Sequence, residues 1–275
     1  MILKVHTPAP PLSESVSALI YYDGFDPIHQ MDRFLPDGNT ELILNLSDTP
    51  QFIYDNETLK EIQTCRRAWV SGVRTRPITI PSGKGSKMLI VAFRKGKAHP
   101  FYPLPMSELT DFVVEADLVL GRSVLDLREQ LLSSASIDHM FFLVEGFLQR
   151  RAVNMLSPDT PARCVEFALA SILHQPGRLG FRQLSEQIGY SQKHFISLFK
   201  QQVGTAPKQY LKILRFQKVI LELEKETSAD WSEIAVRNGF YDQAHFIHEF
   251  RNFSGFTPGE YVRRKTDTLN YVPVQ

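Results

Sequence analysis

Two stretches near the C-terminal end of this 275-residue chain are copies of one pattern. "LSEQIGYSQKHFISLFKQQVGTAPKQY" (184–210) and "IAVRNGFYDQAHFIHEFRNFSGFTPGEY" (234–261) align with one extra residue in the second. Gly189 then matches Gly239, Tyr190 matches Phe240, His194-Phe195 matches His245-Phe246 and Phe199 matches Phe250. Gly204, Pro207 and Tyr210 continue the register onto Gly255, Pro258 and Tyr261. A supersecondary unit present twice restricts the fold of the last hundred residues more than any other feature.

The unit can be assembled from local rules. Short helices over Phe181–Ile188 and Asp230–Asn238 end at glycines able to take the left-handed conformation that stops a helix. After a three- or four-residue turn, Ser191 and Asp242 are placed to cap the next helix. That helix buries Phe195 and Phe199, or Phe246 and Phe250, and leaves a polar face free. Gln192, Lys193, Ser197 and Lys200 occupy this face in the first copy, and Gln243, His248 and Arg251 in the second. Helix, tight turn and helix with an open polar face make a helix-turn-helix, whose second helix fits a DNA major groove. Pro207 suits a helix start, and about 18 residues from it span roughly 27 Å, comparable with one duplex turn of about 34 Å.

The same residues resemble the AraC/XylS family of bacterial transcription regulators. The second copy carries the family's signature: "IA" at 234–235, "GF" at 239–240, "DQAHF" at 242–246, Phe250, then G-x-T-P-x-x-Y from 255 to 261, with Arg215 at a further frequent position. The resemblance implies two recognition helices in consecutive major grooves. Carried over, the base-reading positions are Lys193, Ile196 and Ser197 in the first helix and Gln243, Ala244 and His248 in the second; Lys200 and Arg251 fit phosphate contacts. Three departures matter. Ser197 and His248 stand where the family often has Arg, and Ala244 where Ser is common. Without the bidentate guanine contact of Arg, readout shifts toward Lys193, Gln243 and DNA shape.

The rest of the chain is organised differently. Up to about residue 105, "TELILNL" (40–46), "QFIYD" (51–55), "AWVSGV" (68–73), "RPITIP" (76–81) and "KMLIVAF" (87–93) are short strand-like runs separated by turns such as "PDGN" (36–39). From 106 to 156 the period becomes helical, through "MSELTDFVVEADLVL", "SVLDLREQLLSS" and a Ser136-capped helix ending near 156. Its stripe Met140, Phe141, Val144, Phe147 and Leu148 fits either a domain core or a dimerisation helix. The expected fold is α+β in two domains. A β-rich sandwich or barrel with following helices fills 1–156, residues 157–162 link it to an all-α tandem helix-turn-helix domain over 163–265, and 266–275 form a tail.

Charge agrees with this division: residues 1–162 carry a net −3 and residues 163–265 a net +5, which places positive potential on the DNA-binding part. No apolar run approaches the roughly 20 residues of a membrane helix. With no signal-like N-terminus and no membrane partner, a cytoplasmic location is expected. No phosphate-cradling loop or metal-spaced His set occurs, so no cofactor, metal or catalytic residue is expected. Cys65, beside Arg66 and Arg67, reads as an ordinary thiol; a lowered-pKa thiol or alkyl acceptor is its sharper alternative.

The partners expected are double-stranded DNA, a small-molecule effector held by the N-terminal domain, RNA polymerase in the case of an activator, and a second copy in a homodimer. Strand-flanking positions suggest Arg33, Tyr54, Trp69, Arg74 and Phe101 as effector contacts. Two other readings stay open: a ligand-independent regulator whose N-terminal domain only oligomerises, and an enzyme with a vestigial DNA-binding domain.

Overall fold

The computed structural model describes residues 1–152, 160–174, 190–225 and 230–274. Two antiparallel sheets form its N-terminal part. The first runs in the order β1 (Ile2–His6), β2 (Val16–Asp23), β9 (Lys87–Phe93), β4 (Glu41–Asn45), β7 (Ala68–Ser71) and β10 (Val113–Glu115). The second runs β11 (Tyr271–Pro273), β3 (Met31–Phe34), β8 (Ile78–Pro81), β5 (Gln51–Tyr54) and β6 (Glu61–Cys65).

Alternation along the central strands decides what each face of the first sheet meets. Leu42, Leu44, Val70, Leu89 and Val91 point to one side, into a core closed by helices α1 (Ala116–Leu120), α2 (Ser123–Leu132) and α3 (Ile137–Arg151). Ile43, Trp69, Met88 and Ile90 point to the other side, toward the second sheet. The stripe Met140, Phe141, Val144, Phe147 and Leu148 is buried in the first of these cores. Ser136 caps α3 by accepting a hydrogen bond from the His139 N–H at 3.2 Å.

Three expectations need correction. The segment "MSELTDFVVEADLVL" is not one helix, because Val113–Glu115 is a strand paired with Ser71–Trp69. Asp111 turns the chain: its φ is 62°, and its carboxylate accepts from the Thr75 N–H and hydroxyl, both at 2.6 Å. The open edge of β7 then captures the apolar run that follows, and pairing outranks helical period. Of the expected linker, 157–159 lie outside the described residues, and helix α4 (Thr160–His174) already starts at 160. The expected tail carries β11, antiparallel to β3 with Tyr271 opposite Phe34, so the end of the chain returns to the N-terminal sheet.

The C-terminal part contains α5 (Gln192–Val203), α6 (Pro207–Leu223), α7 (Trp231–Arg237), α8 (Gln243–Ser254) and α9 (Pro258–Arg264). The expected helix Phe181–Ile188 and Gly189 lie outside the described residues. Ser191 and Asp242 cap α5 and α8 through the His194 and His245 N–H groups at 3.3 and 2.7 Å. The repeat survives in side-chain geometry. Phe195–Phe199 and Phe199–Tyr210 cross edge-on at 5.9 Å each, and Phe246–Phe250 and Phe250–Tyr261 do so at 5.8 and 5.6 Å. Helix α6, which joins the copies, has 17 residues and so a length of about 25 Å.

The two parts share buried surface. Leu35 and Val73 from the sheet region belong to the same core as Phe199, Tyr210 and Phe250. The loop between β3 and β4 bonds directly to α6: Tyr210 donates to the Gly38 carbonyl at 3.1 Å and Gln217 to the Pro36 carbonyl at 2.7 Å. Thr110 donates to the Gly204 carbonyl at 2.6 Å. Arg33 lies over the Phe256 ring at 5.1 Å and packs against Gly255, where an added Cβ would fall 2.5 Å from its guanidinium.

Phe199→Ala and Phe250→Ala should each cost about 3–5 kcal/mol in urea unfolding, because each removes a fully buried ring. Tyr210→Phe keeps the ring but leaves the Gly38 carbonyl unpaired, for a loss of about 1 kcal/mol.

Candidate nucleic-acid interface and effector cavity

The residues expected to read DNA share the outward faces of α5 and α8. Gln192, Lys193, Ser197 and Lys200 are exposed on α5, with Ile196 half-buried beside them. Gln243, Ala244, His248 and Arg251 are exposed on α8. The buried phenylalanines of each helix turn these faces away from the core. Gln243 is oriented in advance, since its carbonyl oxygen accepts from the Ser232 hydroxyl at 2.8 Å, which leaves its amide N–H groups without a partner among the described residues.

The second reading helix is held by a charge network that the sequence did not single out beyond Arg215. Glu249, on the inner face of α8, is buried and takes Lys212 at 3.1 Å as well as Arg215, both from α6. Arg215 also donates to the Gly239 carbonyl at 3.0 Å and stacks on Phe240 at 4.1 Å. His245 turns inward along its helix: its ring accepts from the Tyr241 N–H at 3.3 Å and faces Glu249 at 3.7 Å. Glu222 and Glu224, at the C-terminal end of α6, are engaged. Asn238 donates to Glu222 at 2.7 Å, and Tyr261 donates to Glu224 at 2.8 Å.

Between the two sheets lies a cavity of about 550 Å³. Its walls are mostly apolar, from residues such as Ile43, Phe52, Trp69, Ile78 and Ile90, with Asp32, Asp37, Glu41 and His29 among the polar ones. Residues Thr266, Thr268, Leu269, Asn270 and Tyr271 of the C-terminal segment complete it. That segment is tied to the DNA-binding part, because Gln217 of α6 donates to the Asn270 side-chain oxygen at 2.8 Å.

Of the five residues suggested as effector contacts, Trp69 lines this cavity and the other four do not. Arg33 is committed to the Asn56 carbonyl at 2.6 Å, Thr79 at 3.3 Å and Phe256. Arg74 is buried, donating to the Asp111 carbonyl at 3.3 Å. Phe101 packs on Phe93 at 5.1 Å in the helix-covered core, and Tyr54 packs beside Phe52 at 6.5 Å. Flanking a strand does not reveal which face a side chain takes, and a one-residue offset changes it.

Burial sets the acid–base character of the cavity. It pushes Glu41 up to about 8, with the neighbouring Asp37 adding to the effect. Burial also raises Asp32 and Asp37, the first opposed by His29 at 2.8 Å and the second by Asn39. Cys65, buried at the cavity wall, is pushed up to about 12 by burial and by Glu115, which overturns the lowered-pKa alternative for this thiol. Among the described residues, no group of three or more His, Cys, Asp or Glu side chains could hold a metal ion. Nor is any helix there long and apolar enough to cross a membrane.

Comparison with known proteins supports the division of labour. A model of the helix-turn-helix domain matches residues 184–264, which covers both copies of the repeat. Residues 184–264 are an AraC-type helix-turn-helix domain. A second model, a domain of unknown function named DUF6597, matches residues 4–115. An uncharacterised HTH-type transcriptional regulator of Haemophilus influenzae is 33% identical over 103 residues, or 37% of this chain and 34% of that protein. One from Staphylococcus aureus is 32% identical over 89 residues, or 32% of this chain and 12% of that protein. This chain therefore matches about a third or less of the length of these curated relatives. Among solved structures, ToxT from Vibrio cholerae overlaps 89% of this chain and 96% of its own at 11% identity and a TM-score of 0.43. An unsaturated fatty acid-bound ToxT gives 12% identity and a TM-score of 0.42, covering 89% of this chain and 94% of that one. Overlap at this level transfers nothing to the present chain.

Arg215→Met, which keeps the stem and removes the charge, should destabilise the AraC-type domain by about 1.5–3 kcal/mol in denaturant titrations, with Glu249 left to Lys212 alone. Glu41 provides a pH test. A carboxyl held near 8 in the fold, against roughly 4.3 in an unfolded chain, stabilises the protein fully at low pH and loses that contribution as pH climbs to 8. Glu41→Gln should therefore gain melting temperature relative to the parent between about pH 5 and 8. A difference that stays constant over that range would show that Glu41 is ionised throughout.

Proposed function

We propose that the protein is a sequence-specific, double-stranded-DNA-binding regulator of transcription, with α5 and α8 entering consecutive major grooves. The observation that carries this reading is the duplicated aromatic stack, which holds two polar helix faces outward at the ends of a connector of about 25 Å. Lys200 and Arg251 then meet phosphates, while Lys193, Ser197, Gln243 and His248 approach base edges. Gln243, its oxygen held by Ser232, offers its N–H groups to an acceptor such as guanine O6 or N7.

The cavity favours control by a small molecule over an N-terminal domain that only oligomerises. Two of its walls lead to the DNA-binding domain. Asp37 faces the cavity from a loop whose Pro36 and Gly38 carbonyls bond to α6, and Asn270 does so from a segment that Gln217 holds. A ligand that prefers one arrangement of these walls shifts the population of α6 and of both reading helices with it. The relatives bear the names of regulators, and we read this protein likewise as non-enzymatic and cytoplasmic. Homodimerisation, and contact with RNA polymerase in the case of an activator, belong to the same reading.

Selection of sites from a random duplex pool tests it. One site should emerge with two unequal elements about 10–11 bp apart. Gln243→Ala should relax preference in a single element by about 1–3 kcal/mol. Arg251→Ala should weaken binding evenly across sequences and reduce the salt slope by about 1. Enrichment of a single element, or of none, would sink the two-groove arrangement.

A further inference from the structure

The cavity has a sign. Among the described residues, three carboxyl side chains line it, Asp32, Asp37 and Glu41, and no Lys or Arg does. Two of the three already have partners. His29 meets Asp32 at 2.8 Å, and Asn39 serves Asp37 with its backbone N–H at 3.0 Å and its side-chain amide at 2.5 Å. Glu41 has neither a hydrogen-bond donor nor an ion-pair partner among the described residues. It sits half-buried at the head of β4, close enough to Tyr22 and Tyr271 to influence both phenols. Tyr271 in turn lies against Phe34 at 5.0 Å, and Ile43 and Trp69 continue the same face of the sheet from Glu41.

A half-buried carboxyl without a donor is disfavoured when ionised and is relieved in one of two ways: it keeps its proton, or a cation comes to it. The surrounding aromatic rings also favour a cation, through their negative faces. Among the described wall residues a carboxylate ligand would find no Lys or Arg, with His29 engaged by Asp32, and would be repelled by Asp37 and Glu41.

We propose that the cavity is a site for an organic amine with an apolar body, the ammonium group placed at Glu41 between Tyr22 and Tyr271 and the body lying along Ile43 and Trp69. This rests on the cavity being the effector site of the regulator. Ion pairing then requires Glu41 to release its proton. With Glu41 near 8, amine affinity climbs about tenfold per pH unit from 6 toward 8 and levels off above it. Asp32, Asp37, His29, Tyr22 and Tyr271 also face this space, and Lys95 acts electrostatically on Asp37, so the Glu41→Gln variant is needed to isolate the contribution of Glu41.

The test compares three probes of one shape, 4-phenylbutylamine, 4-phenylbutanol and 4-phenylbutyrate, by calorimetry on the full chain at pH 6, 7 and 8. Affinity for the selected duplex is measured on the same preparation. The amine should bind at least tenfold more tightly than the alcohol or the acid at pH 8, with its advantage shrinking at pH 6 and absent in Glu41→Gln. If that variant does not fold, the ranking of the three probes on the parent protein decides. Equal or tighter binding of the butyrate overturns the proposal, and so does a protein that selects its duplex yet binds none of the three. Amine binding with no duplex selected would keep the site and remove the regulator.

Discussion

Each copy of the repeat depends on one interaction, the burial of two phenylalanines from the reading helix against the tyrosine at the start of the next. Edge-on ring pairs of this kind add about 0.5–1.5 kcal/mol each beyond their area. Their larger effect is geometric. With Phe195 and Phe199 inward, Lys193, Ser197 and Lys200 have only solvent to face, and Phe246 and Phe250 impose the same on Gln243, His248 and Arg251. The tyrosines then diverge. Tyr261 stays within the helical domain and bonds Glu224, while Tyr210 reaches the Gly38 carbonyl and draws the sheet region onto the connecting helix.

That divergence makes the two parts one mechanical unit. The loop carrying Pro36, Asp37 and Gly38 is a tight turn with two addresses, its carbonyls on α6 and its acidic side chain in the cavity. The C-terminal strand does the same from the opposite end of the chain, pairing with β3 while Asn270 is held by Gln217. The cavity walls therefore have short, packed routes to the helix between the recognition helices.

The charge pattern inside the protein follows the same economy. Glu249 is neutralised by Lys212 and Arg215 and Glu222 by Arg237, all on neighbouring helices, so they fix the helical domain without burying bare charge. Glu41 has no such partner among the described residues and faces the cavity between the sheets.

Much of this was legible beforehand, and the reason is locality. Helix caps at Ser191, Ser136 and Asp242, the period of the phenylalanines and the two-fold repetition depend on residues a few positions apart, so the chain alone determined the tandem helix-turn-helix and its outward faces. The central strands were equally plain in their alternation. What the sequence left open depends on pairing between distant segments. Val113–Glu115 looked helical until the free edge of β7 claimed it, and residues 266–275 looked like a tail until β3 supplied a partner. Four of five suggested effector residues do not line the cavity, because which side chains reach it depends on how segments far apart in sequence pack and pair. The cavity, its unpaired Glu41 and its ties to α6 came only with the tertiary fold, since each joins residues whose proximity no local rule specifies.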